Sequence, residues 1–357
     1  MSAVTSGELP VVPGSTVGIV ANPMSGRDIR RLVAQASVFP NAEKTNMVVR
    51  LLAAAGAAGV ERALVSTDGM GVAGGVVRAL AKRRASAGRL PHLEFVELNA
   101  LTGTADDTRA LVAAMRARGA GVIVTLGGDG TVRAAAATCE DVPLLPLSTG
   151  TNNAFPEMWE ATVAGTAAGL LATGRVDADA VTHRSKVLHV VCGPTREVAL
   201  VDVCVSTVTH VGSKALWQPA TLCELYCAFA EPHAIGLSSI AGLLHPAART
   251  DPHGVVVTLA DPATADRTVF APIAPGVVAP IGVRDARELP AGVPHRVAVE
   301  RGTVAVDGER EIAFGPATPV TVTLGHDGPR VLDVRAALAA AAAERLLVRE
   351  PTLQEVR

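Results

Sequence analysis

Aromatic residues are scarce in this chain, with two tryptophans, one tyrosine and six phenylalanines among 357 residues. A platform that stacks bases or sugars needs several rings in one groove, so recognition of that kind is excluded as the main activity. Neither sign of charge is in excess: 32 Lys+Arg stand against 34 Asp+Glu, a formal net charge of −2. Affinity for nucleic acid or an anionic membrane therefore cannot come from net charge. No run supplies the roughly 20 apolar residues of a membrane-spanning helix. The best stretch, Thr268 to Val283, is broken by Pro272, Pro275 and Pro280, and the Ala-rich 336–343 runs into Glu344 and Arg345. The start, MSAVTSGELP, has neither the basic residues nor the apolar run of a signal peptide. Five scattered cysteines (Cys139, Cys192, Cys204, Cys223, Cys227) are unlike a secreted disulfide framework. Together these absences give the expectation of a cytoplasmic protein without nucleic-acid or membrane partners.

What is present is apolar mass, 49% of residues against 18% charged, in a chain long enough for two domains of about 150 residues. Over the first 155 residues strand and helix patterns alternate. Short apolar runs at 17–21, 62–66, 92–98, 121–126 and 142–147 read as strands. Helical spacing covers 42–58, 72–84 and the segment after Thr104 through Leu111, Val112 and Met115. Strands separated by helices imply a parallel sheet covered on both faces. A helix is expected from Pro156 to Thr173, ended by Gly174. Valine, threonine and proline then take over, with strands expected at 186–191, 197–206, 254–259, 297–306 and 319–324 and a helical island at 214–229. The expected fold is α/β: a parallel-sheet domain over 12–155, a β-rich second domain over 156–335 and a helical tail over 336–357.

Three loops carry chemistry. Gly127-Gly128-Asp129-Gly130-Thr131 directly follows a strand. Consecutive glycines permit positive φ and let backbone N–H groups approach an anion, and a helix starting near Thr131 points its positive end there. Asp129 can accept a hydroxyl proton; the alternative is a tight turn in which it caps the helix. The loop after the next strand, Ser148-Thr149-Gly150-Thr151-Asn152-Asn153, offers hydroxyls and amides suited to phosphate, ribose or a hydrated cation. The third, Asn22-Pro23-Met24-Ser25-Gly26-Arg27, follows the first strand and could hold a phosphate through Ser25, the Gly26 backbone and Arg27. In a parallel sheet all three reach the carboxyl edge, where open α/β sheets place their ligands.

These segments, with STGTNNAFPEMWEATVAG and the upstream DTRALVAAM, resemble the NAD kinase and diacylglycerol kinase superfamily, and within it the ATP-NAD kinase-like X proteins of acetoin catabolism. The resemblance is strong from 17 to about 175 and looser beyond. It implies a nucleotide-binding α/β domain, a β-rich second domain, and Mg²⁺-assisted transfer of a phosphoryl group from ATP, or polyphosphate, to a hydroxyl. Asp129 is the implied base. Nucleotide contacts are assigned to Asn22, Ser25, Gly26, Arg27, Gly127, Gly128, Gly130, Thr131, Thr149, Gly150, Thr151, Asn152 and Asn153. Positioning and charge neutralisation do most of the work in phosphoryl transfer, so glycine loops and carboxylates suffice without a covalent nucleophile.

Val304-Ala305-Val306-Asp307-Gly308-Glu309 reads as a strand entering a tight turn. Lipid kinases of the superfamily carry a similar Asp-Gly-Glu segment, which makes Asp307 and Glu309 further candidates. NAD kinases have an Asn-Glu pair in a second-domain strand; the best match here is Val201-Asp202, with Asp202 the retained acid. Cys223 and Cys227, four apart on the helical island with His233 downstream, lack a second ligand pair and read as buried free cysteines. No metal ligand is assigned, and the nine histidines show no metal-binding grouping. The expectation is an ATP-dependent small-molecule kinase with NAD as acceptor, its partners small-molecule nucleotides, with room for a homo-oligomer. The alternatives are a lipid or sphingoid-base kinase and a non-catalytic nucleotide-sensing accessory protein.

Overall fold

A computed structural model describes residues 8–25, 39–84, 88–209 and 221–348. Gly26, Arg27, the first part of the expected helical island and the tail beyond 348 lie outside them. Strands β1 (Val12–Ala21), β2 (Val60–Ser66), β3 (His92–Val96), β4 (Val122–Gly127) and β5 (Leu144–Ser148) pair in parallel in the order β3-β2-β1-β4-β5. Every residue of β4 is buried, as its unbroken apolar run requires of a strand covered on both faces. Helices α1 (Asn41–Ala57) and α2 (Val72–Ala81) cover one face; α3 (Ala105–Ala117) and α4 (Asp129–Ala136) cover the other. The connections leave β1 toward β2 on one side and β4 toward β5 on the other. The loops after β1 and β4 therefore flank a topological switch point, the place where open α/β sheets set their ligands.

The first layer does not stop at 155. Helices α5 (Ala161–Ala172) and α6 (Ala178–Val181) follow, and α5 packs on α1. Two late strands, β6 (Thr182–Arg184) and β18 (Arg330–Leu332), extend the sheet from β5, and α8 (Val334–Ala343) packs on α5. The residues between form two antiparallel sheets. One has seven strands in the order β12 (Arg267–Ala274), β13 (Val277–Pro290), β11 (His253–Ala260), β10 (Leu222–Cys227), β9 (Asp202–Ser206), β15 (Gly302–Val306) and β16 (Glu309–Phe314). The other has four: β14 (His295–Arg296), β17 (Val320–Gly325), β7 (Val187–Cys192) and β8 (Thr195–Ala199). Helix α7 (Ser238–Leu244) covers part of the seven-stranded sheet. One apolar core runs from α3 and α4 into both antiparallel sheets. Among the described residues no helix is long and apolar enough to cross a membrane.

The described part of the expected helical island is a strand, β10, paired on both sides. Residues four apart share a face in a helix and in a strand alike, so the Cys223–Cys227 spacing could not discriminate. The expected strand 197–206 divides at Leu200–Val201 into β8 and β9, which belong to different sheets. The helix expected from Pro156 begins at Ala161, where the Glu160 carboxylate caps the N–H groups of Thr162 and Val163 at 2.7 and 3.2 Å. The run expected at 297–306 is a strand only from Gly302. The proline-rich hairpin β12–β13 was not expected at all, yet Pro272 sits on an edge strand, where a missing N–H is tolerated.

Helix α5 approaches α1 through two glycines. A Cβ on Gly165 would lie 2.8 Å from the Leu51 carbonyl oxygen and 2.9 Å from the Ala54 Cβ. Alanine improves helix propensity by about 1 kcal/mol, whereas overpacking against backbone costs about 1–3 kcal/mol. Gly165→Ala is therefore expected to destabilise the fold despite the better helix former. Urea unfolding checks this, since propensity alone would raise the midpoint.

Candidate functional site

Strand β1 ends at Ala21, and the next residue continues the ladder: Asn22 N–H donates to the Leu126 carbonyl at 3.0 Å. The Asn22 side chain then serves two loops. Its Oδ1 accepts the Met24 N–H at 2.9 Å, closing an Asx turn, and its Nδ2 donates to Thr131 Oγ1 at 2.8 Å. Ser25 Oγ donates to the Asn22 carbonyl at 2.9 Å and stands 2.8 Å from Thr149 Oγ1. The loops after β1, β4 and β5 are thus tied to one another by side chains before any ligand is considered.

A buried lysine holds the first of these loops. Lys44, in the first turns of α1, is fully buried, and its Nζ donates to the carbonyls of Asn22 (2.9 Å), Pro23 (3.3 Å) and Ser25 (2.8 Å). The sequence reading passed over it. The available signal was a cation on the apolar stripe of Met47, Val48 and Leu51, where a lysine is almost never buried without partners.

Asp129 opens α4, but it does not cap its own helix, as the bland alternative supposed: Gly128 is the N-cap and no side chain caps there. The Asp129 carboxylate reaches instead to the loop after β5, accepting N–H groups from Phe155 (2.8 Å) and Ala154 (3.1 Å). None of Gly127, Gly128 and Gly130 has positive φ, contrary to expectation. Close approach is what demands glycine at the first two. A Cβ on Gly127 would lie 2.4 Å from the Thr131 side chain, and one on Gly128 would lie 2.6 Å from Asn153 Oδ1. Gly130 is different: the nearest atom to its would-be Cβ is Glu309 Oε1, 3.9 Å away. Ser148 Oγ donates to the Gly150 carbonyl at 2.8 Å and accepts from Asn153 Nδ2 at 2.7 Å, which shapes the third loop. Asn152 is half-buried there with a buried Oδ1, and Thr151 is exposed at its tip.

The second domain brings Asp307, Glu309 and Asp202 to the same place. Asp307 occupies the first turn position between β15 and β16 with φ of 49°, and its buried carboxylate accepts N–H groups from Val201 (2.8 Å) and Leu200 (3.0 Å). Arg133, one turn into α4 beyond Asp129, places Nε 3.4 Å from Asp307 Oδ2 and Nη1 3.7 Å from Glu197 Oε2. Burial pushes the Asp307 carboxyl up to about 7, with Arg133 opposing that rise and the charge of Asp129 adding to it. Asp202 is buried behind it, its carbonyl accepting the Asp307 N–H at 2.9 Å. Val201 is 2% exposed and part of the core.

Arg249, another residue the sequence reading did not single out, clamps the peptide that holds Asp129. Its guanidinium donates to the carbonyls of Ala154 (2.5 Å) and Phe155 (2.9 Å), lies 4.4 Å from the Phe229 ring centroid, and pairs with Glu231 at 3.4 Å. The loops after β1, β4 and β5 thus gather at one sheet edge, with Glu309 of the second domain beside Gly130.

Comparison with known proteins agrees with both halves. The family model for the ATP-NAD kinase N-terminal domain matches residues 17–176, and that for the acetoin catabolism protein X C-terminal domain matches 186–327. Acetoin catabolism protein X of Cupriavidus necator (strain ATCC 17699 / DSM 428 / KCTC 22496 / NCIMB 10442 / H16 / Stanier 337) is 44% identical over 336 residues, covering 93% of each chain. A solved structure from Bacillus anthracis str. Sterne, named provisionally as a diacylglycerol kinase, superposes with a TM-score of 0.42 at 11% identity, over 89% of this chain and 97% of that one.

Two outcomes are expected from this geometry. Lys44→Met keeps the stem but removes the Nζ donor that the Asn22, Pro23 and Ser25 carbonyls share, and should cost about 2–3 kcal/mol in chemical unfolding. A loss below 0.5 kcal/mol, about the scatter of surface changes, would mean that the loop does not depend on it. Asp307 has a raised native pKa, so the native state binds more protons than the unfolded one between roughly pH 4 and pH 7. Its contribution is fully present below that window and is lost as pH rises through it. Asp307→Asn should remove this part of the decline in stability, measured as unfolding free energy against pH, leaving a flatter profile than wild type.

Proposed function

The chain belongs to the acetoin catabolism protein X family, and from that premise we propose that it is an ATP-dependent phosphotransferase acting on a hydroxyl, with NAD as acceptor and NADP as product. One observation carries the reading: three loops at the switch point of a parallel sheet are bound together by Asn22–Thr131 and Ser25–Thr149 contacts, and a second-domain acid, Glu309, faces the open side of Gly130. Phosphoryl transfer asks for such positioning more than for a covalent nucleophile. In this reading the domain that binds nucleotide is the first sheet with its late strands, and the β-rich part supplies Asp202, Asp307 and Glu309.

The roles divide by chemistry. Asn22, Ser25, Thr131, Thr149 and Thr151, with the amides of Asn152 and Asn153 and the backbone of Gly127, Gly128, Gly130 and Gly150, hold phosphate and ribose oxygens. Gly26 and Arg27, outside the described residues, belong to the same assignment. The donor would be ATP, with polyphosphate the alternative, and Glu309 is the carboxylate that would hold the accompanying magnesium, which would neutralise phosphate charge. Asp129 would take the proton from the acceptor hydroxyl as the hydroxyl oxygen bonds the γ-phosphorus and the bond to the bridging oxygen breaks, releasing ADP. Asp307 holds the Leu200–Val201 backbone and sets the field around Asp129.

A second reading is a nucleotide-sensing accessory protein that turns nothing over. What favours it is the engagement of the Asp129 carboxylate by two backbone N–H groups, which weakens a base. Mass analysis of products separates the two, using purified protein with ATP and Mg²⁺ against NAD, NADH, diacylglycerol and sphingosine. Phosphorylated NAD supports the proposal; product from a lipid alone, or nucleotide binding without any product, overturns it. Asp129→Asn retains one acceptor oxygen for Phe155 and Ala154, so the fold should hold. Turnover should nevertheless fall about 10²–10⁴-fold. Near-normal turnover in a folded variant would remove Asp129 from the role of base.

A further inference from the structure

Among the described residues, one group of three side chains with metal-binding chemistry gathers outside the crevice. The ligand atoms of His245, His253 and Glu288 all lie within 4.8 Å of one another. The topology explains how residues so far apart in sequence meet. His253 opens β11 opposite Pro290, and Val255 stands opposite Glu288 on β13, so His253 and Glu288 share one face of the sheet. Helix α7 packs on that face against Val255 and Val257, and His245 is its C-cap residue. The two imidazoles meet edge to face with centroids 6.2 Å apart, and His253 Nε2 stands 3.9 Å from Glu288 Oε1.

We propose that His245, His253 and Glu288 form a site for a zinc-class divalent cation, which pins both ends of the segment carrying Arg249. Two imidazoles and a carboxylate are a known three-ligand set for zinc, with water in the fourth position. Nitrogen donors favour zinc or cobalt over the magnesium that oxygen ligands would select. A tetrahedral site with bonds near 2.0–2.1 Å has ligand atoms about 3.3 Å apart, so the group must close by up to about 1.5 Å. Glu288 is exposed, and a change of side-chain rotamer supplies that movement.

The position gives the cation a purpose. His245 and His253 bracket the strap that carries Arg249. Lys186 Nζ already ties it down by donating to the carbonyls of Ala248 and His253, both at 2.7 Å. From the middle of the strap Arg249 grips the Ala154 and Phe155 carbonyls, whose neighbouring N–H groups hold Asp129. A metal at the two histidines fixes where the strap starts and ends, and therefore the reach of Arg249. Metal binding itself does not rest on the phosphotransfer reading.

Full-length protein stripped of metal and titrated with cobalt(II) should take up a stoichiometric amount, with the visible bands of low-coordinate cobalt, and zinc should displace it. Glu288→Gln, a change on the exposed surface, should weaken uptake about 10-fold or more. His245→Ala and His253→Ala should abolish it while circular dichroism remains that of wild type. Zinc should also slow amide hydrogen exchange across 246–252 in wild type but not in these variants. Absence of stoichiometric uptake overturns the proposal. So does an intense thiolate-to-cobalt band, which would put the metal on the cysteines, or uptake unchanged in Glu288→Gln. Uptake through these ligands with unaltered exchange would overturn the pinning of the strap.

Discussion

Water does not reach the carboxyl of Asp307, and the groups around it compensate for that on three sides. The amides of Leu200 and Val201 point at it from the break between β8 and β9, and Arg133 approaches from α4 in the first layer. A chain passing from one sheet to another leaves backbone N–H groups without ladder partners, and burying them unpaired costs about 1–3 kcal/mol each. One acidic side chain at a left-handed turn satisfies two such groups. Because Arg133 lies one helical turn past Asp129, the same contact seats the β-rich part on the helix that begins with the candidate base. Burial of a lone carboxylate would favour its neutral form; the arginine and the amides oppose that, which is why its pKa stops at about 7.

Asp129 and Asp307 are used in parallel ways. Each acidic side chain leaves its own element to hold two consecutive backbone amides of another segment: Ala154 and Phe155 for one, Leu200 and Val201 for the other. Arg249 completes the first of these by holding the carbonyls of the same two residues from the second domain. The loop after β5 is consequently fixed from both domains, and a displacement of one relative to the other must move the peptide that orients Asp129. Coupling of domain position to the carboxylate follows from these contacts alone, whichever ligand fills the crevice.

The parallel sheet was legible in the sequence because its strands are short apolar runs buried on both faces, separated by helices with clean spacing. The gathering of three loops followed, since parallel strands send every such loop to one edge. What was not legible depended on partners distant in sequence. Lys44 reads as an ordinary helix lysine until Asn22 and Ser25 are folded beneath it. Arg249 reads as a loop arginine, and His245, His253 and Glu288 share no spacing that a linear motif could register. Strand β10 was misread as part of a helical island because its pairing with β9 and β11 depends on residues distant in sequence. The glycines at 127 and 128 do not use positive φ, and the side chains of Thr131 and Asn153 leave no room for a Cβ there.

That last difference bears on how the crevice works. If Gly127 and Gly128 are required by loop-to-loop packing, they can be needed whether or not phosphate touches them, and their presence alone does not argue for a ligand. Gly130 is the position where a Cβ would be accommodated, in ordinary van der Waals contact at 3.9 Å with a carboxylate oxygen of Glu309 from the other domain. An anionic phosphate placed between the start of α4 and Glu309 meets a favourable dipole on one side and an unfavourable charge on the other. A cation bridging phosphate and carboxylate removes that conflict, as magnesium does when it accompanies a nucleotide. An anion held there would therefore need a cation beside Glu309, a requirement that arises only because an acid of the β-rich part faces the start of α4.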